Sequence, residues 1–127
     1  MLNGKKILFV DDEVDLMNCH KNKFKFRPGF DTVIPFFALN VADAIVIIEN
    51  ENPDLTYLDL RLGKQGSLGS LEILKKYAKN HNIIIATADQ DSKDECMALG
   101  AKGYLIKPFS FKAMMEEGER ILNQSLK

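Results

Sequence analysis

The stretch Ile7-Leu8-Phe9-Val10-Asp11-Asp12-Glu13 decides the fold, because four consecutive apolar residues end abruptly in three acidic ones. Continuous rather than alternating hydrophobicity belongs to a strand covered on both faces. Four further runs read the same way: Val33 to Phe37, Leu55 to Leu58, Ile83 to Ala86 and Tyr104 to Ile106. Helical spacing fills the intervals, with Leu16, Met17, His20 and Phe24 in the first and Ala44, Ile45 and Ile48 in the second. Leu71, Leu74, Tyr77 and Ala78 come next, and Phe111, Met114, Met115, Ile121 and Leu122 come last. A β-α unit repeated five times predicts a doubly wound α/β fold. Its five-stranded parallel sheet has the order 2-1-3-4-5, and right-handed crossovers put helices on both faces.

Boundary residues support this reading. Arg27-Pro28-Gly29 stops the first helix, Asn40 and Asp43 form a capping pair, Ser110 caps the last helix, and a fourth helix from about Ser92 to Leu99 ends at Gly100. Pro35 inside the second run demands an edge strand, which the 2-1-3-4-5 order provides. Gly118 is expected to weaken the last helix by roughly 1 kcal/mol relative to alanine.

Composition limits the function. The chain has 127 residues, 46% of them hydrophobic and 28% charged, with 17 Lys+Arg against 18 Asp+Glu for a net charge of −1. One domain over residues 1–127 with a real core is expected, and a disordered chain is excluded. Near-neutrality argues against a dedicated nucleic-acid binder. Cys19 and Cys96 are far apart and form no CxxC, so both are expected to be free thiols in a reducing, cytoplasmic setting. No stretch is long enough for a membrane span or a signal h-region. The neutral sum hides a segregation: four of the five residues from Asp11 to Asp15 are acidic, and Lys21 to Arg27 carries four bases and no acid. That basic stretch reads as the solvated face and last turn of the first helix rather than a nucleic-acid patch. His20 and His81 lack a ligand pattern, and Met114 and Met115 read as core filler.

The residues just past each apolar run carry the chemistry. Asp11 and Asp12 lie beyond the first, Asp59 beyond the third, Thr87 and Ala88 beyond the fourth, and Lys107 beyond the fifth. All stand at strand carboxyl ends, which share one edge of a parallel sheet, and the crevice lies where the order reverses, between the first and third strands. Three carboxylates there repel unless protonated or bridged by a cation, and hard oxygen ligands suit Mg²⁺. A dication, an ammonium and a hydroxyl around one aspartate make a pocket for a transferring phosphoryl group. Asp59 is the candidate nucleophile, Lys107 and the cation neutralise the phosphoryl oxygens, and Thr87 and the Ala88 N–H donate hydrogen bonds.

Together these residues resemble a known family. Ile7 to Glu13, Pro53-Asp54-Leu55-Thr56-Tyr57-Leu58-Asp59-Leu60-Arg61-Leu62, Thr87-Ala88, and Gly100 to Phe109 are similar to the response-regulator receiver domain of two-component signalling, over essentially the whole chain. The resemblance implies a flavodoxin-like, CheY-like fold with Asp59 as phosphoacceptor. Asp12 would ligate Mg²⁺ directly, Asp11 largely through water, and Asp59 and the Arg61 backbone carbonyl would complete the protein ligands. Lys107 would pair with the phosphoryl group through a cis peptide bond to Pro108. Thr87 and Tyr104 match the switch pair that repacks a partner-binding face, with Met97 and Lys112 as further partner-facing residues. The implied partners are a sensor histidine kinase or phosphotransfer protein, a downstream protein or fused output domain, and a second copy in a phosphorylation-dependent homodimer.

The chain departs from the family after Asp59. Receivers usually carry proline at the fourth position beyond the acceptor and a short turn, whereas this chain has Gly63 there and a longer loop through Ser70, whose Gly63, Gly66 and Gly69 widen the accessible conformations. Arg61 and Asp89 sit where the family tunes loss of the phosphoryl group to water. Alternatives are a degenerate receiver acting only as an interaction module, an aspartate-nucleophile phosphohydrolase, and a flavin binder. The hydrolase needs a carboxylate where this chain has Arg61, and the flavin binder needs a phosphate cradle where it has acids. The expected protein modifies itself rather than turning over a separate substrate.

Overall fold

The computed structural model describes residues 2, 4–26, 33–63 and 66–125. Its elements run β1 (Lys6–Val10), α1 (Val14–Phe26), β2 (Ile34–Ala38), α2 (Val41–Glu51), β3 (Leu55–Leu58), α3 (Leu68–Tyr77), β4 (Ile83–Thr87), α4 (Lys93–Ala98), β5 (Gly103–Ile106) and α5 (Phe111–Ser125). The strands form one parallel sheet of order β2-β1-β3-β4-β5, as the sequence predicts. The stop read at Arg27-Pro28-Gly29 lies outside the described residues.

Strand alternation sorts the core into two layers. Leu8, Val10, Leu58, Ile83 and Ile85 point to one face, where Ala44 and Ile48 of α2, Ile73 and Leu74 of α3 and Cys96 of α4 cover them. Ile7, Phe9, Leu55, Tyr57 and Ile84 point to the other, against Met17 and Phe24 of α1 and Phe111, Met114, Met115 and Ile121 of α5. Covering on both faces is why these strands read as unbroken apolar runs. The two edge strands are the exceptions: β5 pairs only with β4 and leaves Tyr104, Leu105 and Ile106 half-buried or exposed, and β2 is its counterpart at the opposite edge. β2 pairs only with β1, its first four residues are exposed or half-buried, and Pro35 occupies the edge it requires.

The caps are as read. Asn40 Oδ1 accepts from the Asp43 N–H at 2.9 Å while its own amide donates to Asp43 Oδ2 at 3.1 Å. Ser110 Oγ accepts from the Ala113 N–H at 2.9 Å. Two glycine readings need correction. Gly69 lies inside α3, so the loop after Asp59 is shorter than the glycines suggested, and a Cβ on Gly69 would meet Val41 Cγ2 at 2.4 Å. Gly118 does more than lower helix propensity. A Cβ there would lie 2.4 Å from Tyr57 Oη and 2.7 Å from Leu55 Cδ2, so the missing side chain lets α5 lie directly on β3.

Candidate functional site

The sheet aligns the site before any side chain acts. The Asp11 N–H donates to Ala38 O at 3.1 Å and the Asp59 N–H to Val10 O at 2.9 Å, which fixes both aspartates on neighbouring strand ends. The Lys107 N–H donates to Thr87 O at 2.8 Å, and the peptide bond from Lys107 to Pro108 is cis. Carboxylate oxygens of Asp11, Asp12 and Asp59 lie within 4.8 Å of one another, with Asp11 and Asp59 buried and Asp12 exposed.

Lys107 reaches into this cluster. Its Nζ is 2.6 Å from Asp11 Oδ2, 3.2 Å from Asp59 Oδ2 and 3.7 Å from Glu13 Oε1. Burial pushes the Asp59 carboxyl above the usual carboxylate range; Lys107 pulls it down and Asp11 pushes it up again. Burial disfavours the Lys107 ammonium, but the hydrogen bond to Asp11 and the charges of Asp59 and Asp11 prevail and hold it above its ordinary value. One ammonium among three carboxylates leaves an excess of negative charge. Hard oxygen donors with that excess fit a Mg²⁺ ion.

A cleft of about 710 Å³ opens over the cluster, lined by Asp12, Glu13, Asp59, Arg61, Thr87, Ala88, Asp89, Gln90, Asp91, Ser92 and Lys107. The Arg61 N–H donates to Asp59 Oδ1 at 3.3 Å. Its guanidinium spans the cleft to Asp89 Oδ2 at 2.9 Å, a contact the sequence did not reveal. Asp89 joins the two predicted switch residues, since its N–H donates to Thr87 Oγ1 at 3.3 Å and its carbonyl accepts the Tyr104 hydroxyl at 2.5 Å. Asp89 Oδ1 also accepts from the Asp91 N–H at 2.8 Å, and Asp89 Oδ2 from Ser92 Oγ at 2.9 Å. That Asp-x-Asp-Ser turn was the available signal. Sequence reasoning also missed Ser70, which is fully buried and whose hydroxyl donates to the Asp59 carbonyl at 2.6 Å.

Behind Asp11, His20 packs against the rings of Phe9 and Phe111, with centroids 5.1 and 6.1 Å away. Burial lowers its imidazole to about 4; Asp11 opposes this, while Lys23 and Lys107 add to it. Between the ordinary value of 6.5 and about 4, the unfolded chain takes up a proton that the folded protein refuses. The stability associated with neutral His20 is therefore complete above that window and lost as pH falls through it. His20→Phe is expected to match the wild type near pH 7 and to exceed it at pH 5 by roughly 1–2 kcal/mol, after allowance for water at the ring edge. Urea unfolding at both pH values checks this, and an equal difference at the two would contradict it.

Carboxylates braced by a lysine at the switch point of a 2-1-3-4-5 sheet define the class that the sequence resembled, and family comparison agrees. A model of the response regulator receiver domain matches residues 7–118, and the chain belongs to that family, the receiver domains of response regulators in two-component signalling. The "Probable transcriptional regulator ycf27" of Cyanophora paradoxa is 33% identical over 115 residues, covering 89% of this chain and 46% of that protein. The "Alkaline phosphatase synthesis transcriptional regulatory protein PhoP" of Bacillus subtilis is 31% identical over 124 residues, covering 96% and 50%. The chain thus spans about half the length of these curated relatives. Among solved structures, the response regulator TrrA of Thermotoga maritima in complex with Mg(2+)-BeF has a TM-score of 0.74 at 25% identity, covering 92% of this chain and 98% of that one. Among the described residues, no helix is long and apolar enough to cross a membrane.

Proposed function

We propose that this receiver takes a phosphoryl group onto Asp59 from a histidine kinase or phosphotransfer protein, with Mg²⁺, and thereby alters a protein-binding face. The observation that carries this reading is Lys107 Nζ set between Asp11 and Asp59, at 2.6 and 3.2 Å, at the base of an open cleft. The Mg²⁺–BeF complex of TrrA supports the ion's identity. Asp11, Asp12, Asp59 and the Arg61 backbone carbonyl would hold the ion, which when bound supplies positive charge to the phosphoryl oxygens.

The chain's own residues do the rest. The Asp59 carboxylate forms a new O–P bond as the bond from phosphorus to the donor breaks, and the donor leaves with the electron pair. Lys107 neutralises a phosphoryl oxygen, and the Thr87 hydroxyl and Ala88 N–H donate to others. Thr87 and Tyr104 meet at Asp89, so a pull on the Thr87 hydroxyl reaches the tyrosine through one residue. Met97, Tyr104 and Lys112 mark the face that responds, and a downstream protein, a fused output domain or a second copy would read it. The transcriptional-regulator names of relatives twice as long support a fused output. The protein modifies itself rather than a separate substrate, and a cytoplasmic setting suits its phosphodonor.

Incubation with acetyl phosphate and Mg²⁺ should add one phosphoryl group to the intact mass, and EDTA should reduce the yield at least tenfold, as expected when a metal supplies several kcal/mol of charge stabilisation. An unmodified protein in the presence of Mg²⁺ would contradict the proposal.

A further inference from the structure

We propose that Gly63 is a positioning residue for the metal site, its backbone N–H holding the Asp12 carboxylate in the orientation that accepts the ion. This rests on the Mg²⁺ reading above. Asp11 and Asp59 are buried and braced, Asp11 by Lys107 and by the Glu13 N–H at 2.9 Å, Asp59 by Lys107 and the Arg61 N–H. Asp12 is exposed, so its two side-chain torsions need another restraint. The Gly63 N–H supplies it from the loop after β3, donating to Asp12 Oδ2 at 2.9 Å. A hydrogen bond to a carboxylate is among the stronger kinds and fixes its direction.

The loop is built to present that N–H. Leu60 and Leu62 are buried on either side of Arg61, and the Leu62 N–H donates to Gly66 O at 3.1 Å, closing the loop on itself. Gly63 has φ +66°, in the left-handed region, and a Cβ there would meet nothing within 4 Å. Backbone angle rather than space therefore selects glycine. Proline at this position would have no N–H to give and a φ near −65°. Glycine makes the loop a donor to the metal ligand on the neighbouring strand end, a role that glycine-derived mobility would not predict.

Outer donors to metal ligands typically change affinity 10–100-fold. For this exposed bond, Gly63→Pro is expected to weaken Mg²⁺ binding about tenfold by calorimetry. Gly63→Ala keeps the donor at some backbone strain and should lose about threefold or less. A readout on the metal-free protein separates the parts. In Asp12→Ala the Gly63 amide proton should move upfield in the NMR spectrum while the Leu62 amide stays in place. Wild-type affinity in Gly63→Pro, or an unmoved Gly63 amide in Asp12→Ala, overturns the role of Gly63 alone. Absence of Mg²⁺ binding by the wild type overturns the metal reading and this role with it.

Discussion

Asp59→Asn is expected to leave a folded protein that takes up no phosphoryl group from acetyl phosphate and Mg²⁺, read as an unchanged intact mass beside a wild type that gains one. The amide keeps the shape and can still accept the Arg61 N–H, but it has no anionic oxygen to attack phosphorus and no full charge to offer Mg²⁺ or Lys107. Phosphate on the variant would place the acceptor elsewhere. Stability supplies an independent sign. Burial, reinforced by Asp11, holds the Asp59 carboxyl above its ordinary value despite Lys107. The folded state thus keeps the Asp59 proton more readily than the unfolded chain does. Its contribution to stability falls as pH rises from about the ordinary value of 3.8 through the raised one. Asp59→Asn has no such fall. Without Mg²⁺ it should be the more stable protein at pH 7, with an advantage that fades at acid pH and narrows when Mg²⁺ is added to the wild type. Thermal unfolding at two pH values, with and without Mg²⁺, checks all three signs.

The reason so much of this site was legible lies in parallel-sheet geometry. Asp11, Asp59, Thr87 and Lys107 stand at or just beyond the ends of apolar runs, and parallel strands bring such positions to one edge whatever the loops do. The same geometry made the strands legible, because Ile7 to Val10 and Ile83 to Ile85 are covered on both faces. Contacts made by loops were not legible. Arg61 to Asp89 and Gly63 to Asp12 join segments 28 and 51 residues apart, Ser70 reaches from the first turn of α3 back to Asp59, and each depends on the path of the loop after β3, which periodicity does not encode. The start of α3 was hidden for a related reason: Gly66-Ser67-Leu68-Gly69-Ser70 is poor in helix formers. Packing of Gly69 against Val41 of α2 overrides propensity there.

Gly118 gives the sharpest case of packing overriding propensity, because the two predict opposite signs. In an exposed helix interior Gly→Ala gains about 1 kcal/mol. Here the new methyl would press against the Tyr57 hydroxyl, well inside contact distance, and that hydroxyl is buried and donates to the Met114 carbonyl at 2.6 Å. The methyl pushes α5 away from β3, loosening the layer that contains Tyr57, Met114 and Met115, and also displaces the tyrosine, leaving a buried hydroxyl and a carbonyl without each other, so the two costs add. Overpacking costs about 1–3 kcal/mol and an unsatisfied buried polar group a similar amount. After the helix gain is subtracted, Gly118→Ala is expected to destabilise by about 3 kcal/mol in urea unfolding. Tyr57→Phe removes the oxygen nearest the methyl and should itself cost about 1 kcal/mol through the lost hydrogen bond. In that background Leu55 Cδ2, the end of a flexible side chain, is the main remaining obstacle, so Gly118→Ala should cost only about 1 kcal/mol. A stabilising Gly118→Ala, or additive effects in the double variant, would show that helix propensity and not the approach of α5 to β3 governs this position.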